Sequence, residues 1–111
     1  MTGKTLSLRK PADFKKTFKE GKRFLSPHFV LYRRGSGLPA ARIGISIAKK
    51  HSKLATRRNR LRRIAREVFR IEVYPHSEGS DFVLASRSPW PDTNIKAVAK
   101  EVKDLLLAQT R

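Results

Sequence analysis

Residues 53–70 read KLATRRNRLRRIAREVFR. At about 100° per residue, Leu61, Ile64, Ala65, Val68 and Phe69 fall in one apolar stripe, which predicts a helix with one face on a core. Asn59, Arg62, Arg63, Arg66 and Arg70 fall opposite that stripe, and Arg58 and Arg60 lie on its flanks. Lys53 and seven arginines in this stretch face a single acid, Glu67. A merely solvated charged face would interleave acids three or four positions away to relieve the repulsion. Arginine also dominates over lysine here, and its planar fork grips a phosphate in a bidentate way. The helix therefore reads as an element that keeps one face for packing and gives the rest to a polyanion.

The composition agrees. The chain has 111 residues, enough for one domain over residues 1–111 with a modest core. Twenty-six Lys and Arg against nine Asp and Glu give a net charge of +17, an excess that costs self-repulsion unless the working partner is anionic. Nucleic acid is the first such partner and an anionic membrane surface the second. The charge is also segregated. From Gly21 to Arg66 there are 14 Lys and Arg and no Asp or Glu, where an ordinary surface mixes both signs. There is no Cys, which excludes a disulfide framework or a zinc-thiolate site and fits a reducing compartment. MTGKTLSLRK at the N-terminus has no apolar run of signal-peptide length, and no segment approaches the roughly 20 apolar residues of a membrane span. These features predict a cytoplasmic protein.

Outward from the basic helix, the pattern alternates helices and strands without an internal repeat. Pro11 can open a first helix that Gly21 ends, with Phe14 and Phe18 four apart on one side. RFLSPHFVLYRR, residues 23–34, reads as strand, with Pro27 marking a break or an edge. RGSGLP, residues 34–39, is a turn-rich connection. ARIGISIA, residues 41–48, alternates Ile43, Ile45 and Ile47 against Arg42, Gly44 and Ser46, a half-buried strand. After the basic helix come a loop over Pro75 to Gly79 and a short strand, DFVLAS, over Asp81 to Ser86. Asp92 or Thr93 can cap a last helix carrying Ile95, Val98, Ala99, Val102, Leu105 and Leu106 at helical spacing.

Enzyme chemistry housed in this chain finds little support. Two-metal nucleases need clustered carboxylates, and no pair of acids has that local spacing. His28, His51 and His76 are scattered and read as surface or loop residues. A helix-turn-helix fails because Ile43 to Ile47 alternates as strand where a preceding helix is required. A membrane-surface helix wants a bulky apolar anchor, but Trp90 sits in a Pro-flanked loop. A ribosomal or other structured-RNA-binding protein without a role in cleavage remains open on composition alone.

RNRLRRIARE, Arg58 to Glu67, resembles the signature of the bacterial ribonuclease P protein subunit, in which a strand running into two lysines precedes an Arg-Asn-Arg helix. Here the strand is GISIAKK, ending at Lys49 and Lys50, and Arg58-Asn59-Arg60 follows after seven residues. DFKKTF from Asp13, FVLY from Phe29 and DFVLASR from Asp81 resemble further family elements, in order, from roughly Leu8 to Leu106. This chain departs from the family at Ala48, where Ser is common, and at His51-Ser52-Lys53, where some members carry Gly. The resemblance implies an α+β fold: a small sandwich with a mixed sheet of about four strands, three helices and a left-handed βαβ crossover. It implies partnership with the catalytic RNA of ribonuclease P and with precursor tRNA, whose 5′ leader the RNA removes using Mg²⁺ bound mainly by the RNA. It implies no catalytic residue, metal ligand, membrane contact or obligate protein partner for this chain. By motif position, Arg58, Asn59, Arg60, Arg62, Arg63 and Arg66 would contact the catalytic RNA. Phe14, Phe18 and Tyr32 would line a cleft for the leader, with Lys49, Lys50 and Arg87 near its backbone. Read from spacing alone, Phe14 and Phe18 are more simply the core face of the first helix, since aromatics four apart usually face a core. Tyr32 shares its strand face with His28, Val30 and Arg34, a mixed set that suits partial exposure.

Overall fold

Pro11 opens helix α1, Pro11–Glu20, at a position whose missing N–H would have had no partner anyway. Asp13 in its first turn and Lys19 in its last complement the helix dipole. The helix stops at Gly21, whose N–H donates to the Thr17 carbonyl at 2.9 Å. The computed structural model describes residues 6–8, 10–37, 41–73, 79–89 and 95–108.

Residues 22–35 form two strands, β2 Lys22–Leu25 and β3 Phe29–Gly35, paired antiparallel. The break falls at Ser26-Pro27-His28, because Pro27 has no N–H to give a ladder. Then follow β4 Arg42–Ser46, α2 Ala55–Val68, β5 Ser80–Ser86 and α3 Ile95–Ala108. These four strands and three helices give the α+β fold with a mixed sheet that the resemblance implies. A two-residue strand, β1 Leu6–Ser7, adds to one edge, so the sheet order is β1-β4-β5-β3-β2. A strand that short leaves no alternation to read in the sequence. β4 and β5 run parallel and α2 is the crossover between them, whereas β3 pairs antiparallel with β5.

β5, expected as a short strand, is the middle of the sheet, and its residues Ser80 to Leu84 are all buried. The register divides its neighbours between two faces. Phe29, Leu31, Ile43, Phe82 and Leu84 share one face and form the core. α2 and the turn after it add Leu61, Ala65, Phe69 and Val73, and α3 adds Val98, Val102, Leu105 and Leu106. Val30, Tyr32, Gly44 and Val83 share the other face, where α1 lies.

The helical reading of residues 61–70 changes at Phe69. Phe69–Val73 forms a wider, π-helical turn that keeps Phe69 and Val73 fully buried and leaves Ile71 exposed. The loop expected from Pro75 lies outside the described residues except for Gly79, which enters β5 with a φ of 74°. Trp90 and the candidate caps Asp92 and Thr93 also lie outside the described residues.

Candidate nucleic-acid interface

α1 covers only part of its face of the sheet, and the aromatic residues mark the boundary. The Phe14 ring lies directly on Gly44, and a Cβ at that position would collide with Phe14 Cζ. Phe18 stands edge-on to Tyr32 with ring centroids 4.8 Å apart, and Phe14 and Phe18 are 6.3 Å apart. Phe18 is 38% exposed, and Phe14 and Tyr32 are half-buried. Phe14 and Phe18 thus lie outside the main core, which is on the opposite face of the sheet, although Thr17, Val30 and Val83 are buried on theirs. The three rings form a ladder beside α1 that is partly open to solvent. Gly44 was the missed signal. A glycine on the outward phase of an alternating strand marks a close approach.

One end of this face is closed by charge pairs. Asp81 is fully buried and accepts from Arg42 Nε at 2.8 Å, Arg42 Nη2 at 2.7 Å and Arg34 Nη2 at 3.3 Å. Arg42 Nη1 also reaches Asp13 at 3.4 Å, and Arg34 reaches Glu20 at 3.9 Å. The hydrogen bond to Asp81 raises the Arg42 pKa above its ordinary value, although burial works against it. These carboxylates are occupied by arginines and tie α1 to β3, β4 and β5. Residue spacing did not reveal this network, since its paired members are 14 to 47 positions apart.

At the other end lie Lys49 and Lys50, both exposed in the turn after β4, and exposed Arg87 after β5. Arg87 is partly engaged. Its Nη1 donates to the Ser26 carbonyl at 2.9 Å and its backbone N–H to the His28 carbonyl at 2.8 Å. The β2–β3 connection is held from α3 as well. Glu101 accepts from the His28 backbone N–H at 2.8 Å and meets His28 Nδ1 at 2.6 Å, and Ser26 Oγ donates to it. Burial pushes the Glu101 carboxyl upward, yet these hydrogen bonds hold it below its ordinary value.

The second surface is the outer face of α2. Leu61 and Ala65 are buried and Ile64 and Val68 half-buried, as the stripe predicts. Arg60, Arg63 and Arg66 are exposed, and none pairs with an acid among the described residues. Arg58 folds back, its Nη1 donating to the Ser52 and Lys53 carbonyls at 2.8 and 2.9 Å. The Asn59 side-chain oxygen accepts from Arg62 Nη1 at 3.0 Å. Arg70 is matched to Glu67 at 3.0 Å. The helix begins at Leu54 with no side-chain cap and no acid in its first turn, although the dipole there favours negative charge. Arg57 and Arg58 in that turn add to the same unmet preference. Among the described residues no helix is long and apolar enough to cross a membrane.

Comparison with known proteins gives one consistent result. The family model for Ribonuclease P matches residues 2–109. The ribonuclease P protein component of Clostridioides difficile is 35% identical over 104 residues, covering 93% of this chain and 90% of that one. That of Thermotoga maritima is 42% identical over 80 residues, covering 72% and 68%. Among solved structures, the Staphylococcus aureus RNase P protein superposes with a TM-score of 0.82 at 27% identity, covering 96% of each chain. The Thermotoga maritima RNase P protein superposes at 0.74 with 33% identity, covering 92% of this chain and 96% of that one. With its sequence matched almost end to end and its fold shared, the chain belongs to the Ribonuclease P family of bacterial protein components.

Proposed function

We propose that this protein component of ribonuclease P works through two surfaces: α2 grips the ribonuclease P RNA, and the aromatic ladder beside α1 receives the 5′ leader of precursor tRNA. Family membership makes the chain a subunit of the tRNA-processing endoribonuclease. The division of labour between its surfaces is our reading. The observation that carries it is the edge-on pair of exposed Phe18 and half-buried Tyr32 on the sheet face away from the core, with the Lys49–Lys50 turn, matched to no acid among the described residues, at one end of that face.

Stacking and charge suit a strand whose sequence varies, because every base has a π-face and every nucleotide a phosphate. Phe14, Phe18 and Tyr32 would take bases, and Lys49, Lys50 and the free edge of Arg87 would take the backbone. On α2, Arg60, Arg62, Arg63 and Arg66 would contact the RNA directly. Arg58 and Asn59 would act partly by ordering the helix start and Arg62 through the hydrogen bonds described above. Mg²⁺ belongs on the RNA in this reading. The acids nearest the ladder, Asp13, Glu20 and Asp81, are each bound to an arginine and offer a cation poor ligands. The particle would work in the cytoplasm, where precursor tRNA is made.

The test is the ratio of precursor-tRNA to mature-tRNA affinity in the assembled particle. Tyr32→Ala and Phe18→Ala should each lower it by on the order of 1 to 3 kcal/mol where a full base stack is lost. If both leave the ratio unchanged while the particle assembles, the ladder does not hold the leader.

A further inference from the structure

The turn that carries Lys49 and Lys50 is closed at its base by the His51 N–H, which donates to the Ala48 carbonyl at 3.0 Å, and by the Ser52 N–H on the same oxygen at 3.3 Å. Lys49 and Lys50 are its two central residues, and both are exposed. Two solvated lysines at the tip of a turn bring no packing to hold them in place. The constraint comes from the neighbouring strand. Ser86, the last residue of β5, accepts the Ala48 N–H on its Oγ at 2.9 Å. The same Oγ lies 2.7 Å from His51 Nδ1. One hydroxyl therefore holds the first and last residues of the turn.

The Ala48 N–H can only donate, so Oγ accepts there, and Oγ keeps both a second lone pair and its own proton with which to meet His51 Nδ1. His51 also shares a surface pocket with Lys50, Lys53 and Arg57, where no acid among the described residues lines the wall. Ser86 directly precedes Arg87, whose backbone is fixed to His28. A single strand end thus sets the places of Lys49, Lys50 and Arg87 relative to one another.

We propose that Ser86 is a positioning residue: its hydroxyl holds the Lys49–Lys50 turn in the arrangement that receives consecutive phosphates of the leader. This rests on the reading that Lys49 and Lys50 meet the leader backbone. Without the hydroxyl the Ala48 N–H and the His51 ring lose their shared partner. The lysines keep their charge but lose their fixed spacing, so affinity for a flexible anion survives while the engagement of an ordered strand weakens.

The experiment uses the assembled particle and measures precursor and mature tRNA binding across a range of salt. Ser86→Ala should lower the precursor-to-mature affinity ratio roughly threefold to tenfold, the scale of one lost hydrogen bond. It should also flatten the salt dependence of precursor binding, because fewer phosphate contacts form. Ser86→Thr, which keeps the hydroxyl, should restore both. In a Lys49→Ala/Lys50→Ala background, Ser86→Ala should add nothing further. Should alanine loosen the strand, Ser86→Val against Ser86→Thr repeats the comparison at nearly constant shape. An unchanged ratio in Ser86→Ala, with a lowered ratio in the lysine pair, overturns the proposal and leaves the underlying reading standing. A loss that Thr fails to rescue, or that adds to the lysine effect, also overturns it, since that is general loosening. If the lysine pair itself changes neither ratio nor slope, the reading of the turn fails and this proposal fails with it.

Discussion

Gly44→Ala tests the architecture of the aromatic ladder at its base. A methyl group on Gly44 would stand 2.9 Å from Phe14 Cε1 and 3.0 Å from Cε2, and closer still to Cζ. Ring and methyl cannot both keep their places. Forcing extra volume into a packed contact costs about 1–3 kcal/mol. Replacing glycine in a strand returns roughly 0.5–1 kcal/mol of unfolded-state entropy. The net expectation is a loss of about 0.5–2 kcal/mol. At about 4 °C per kcal/mol for a domain of this size, the melting temperature falls by roughly 2–8 °C. Because the clash exists only while Phe14 is present, the two sites must couple. Phe14→Ala alone loses a half-buried ring, and adding Gly44→Ala to it should cost nothing or stabilise. A thermal double-mutant cycle followed by circular dichroism should give a coupling of about 1–3 kcal/mol, and Gly44→Ala should lower the precursor-to-mature affinity ratio as the ring lifts. Additive effects, or a Gly44→Ala protein as stable as the parent, would show that Phe14 does not rest on β4 and would undo the geometry of the ladder.

Other perturbations separate fold from interface. Asp81→Ala should destabilise by about 2–4 kcal/mol, near the usual cost of breaking a buried pair but discounted because Arg42 and Arg34 keep some solvent, and chemical denaturation measures it. Arg60→Ala, Arg63→Ala and Arg66→Ala together should weaken ribonuclease P RNA binding and its salt slope while leaving the melting temperature within a few degrees, because these side chains lie off the apolar stripe; unchanged affinity would remove α2 from the RNA interface. Glu101 has a folded pKa held below the ordinary 4.5, so its contribution to stability is present above about that pH and is lost as pH falls through the lower folded value. Glu101→Gln should therefore flatten the acid limb of a melting-temperature profile below about pH 4.5, and an unaltered limb would contradict the latch to His28.

The parts of this molecule written in local periodicity were legible. The stripe from Leu61 to Phe69, the alternation from Ile43 to Ile47 and the Pro11-to-Gly21 helix follow from side-chain direction along a regular backbone. What escaped depends on which strands become neighbours. Asp81 looks like an ordinary polar residue at a strand end, and only the pairing of β5 with both β3 and β4 places Arg34 and Arg42 beside it. The same holds for Ser86 under the lysine turn, and for Glu101 under His28 on a helix 73 residues away. Phe14 and Phe18 were ambiguous because spacing identifies a shared side of a helix but not what that side meets. The answer depended on Gly44, which makes room on the sheet face away from the core.

The pairing of acids explains how a chain with so large a charge excess both folds and keeps cations free. Each of the seven described carboxylates has a basic partner: Asp13 and Asp81 with Arg42, Glu20 with Arg34, Glu67 with Arg70, Glu72 with Lys103, Glu101 with His28 and Asp104 with Lys100. Several of these partners lie at seams of the fold: α1 against the sheet, α3 against the β2–β3 connection, and α3 against the turn after α2. The limited negative charge is thus used where cations would otherwise repel within the folded structure. Arg60, Arg63, Arg66, Lys49 and Lys50 stand outside those seams, exposed and matched to no acid among the described residues. Their repulsion is tolerated because it is solvated and screened within about 10 Å at ordinary salt. It also becomes a source of affinity when a polyanion releases its counterions on binding. Charge of this kind reads no base sequence, and it favours a precursor over a mature tRNA only where, as proposed for Lys49 and Lys50, it would meet phosphates that the mature tRNA lacks. In the proposed reading, discrimination between a precursor and a mature tRNA comes from groups whose contact depends on an extended single strand, and the rings beside α1 would be groups of that kind.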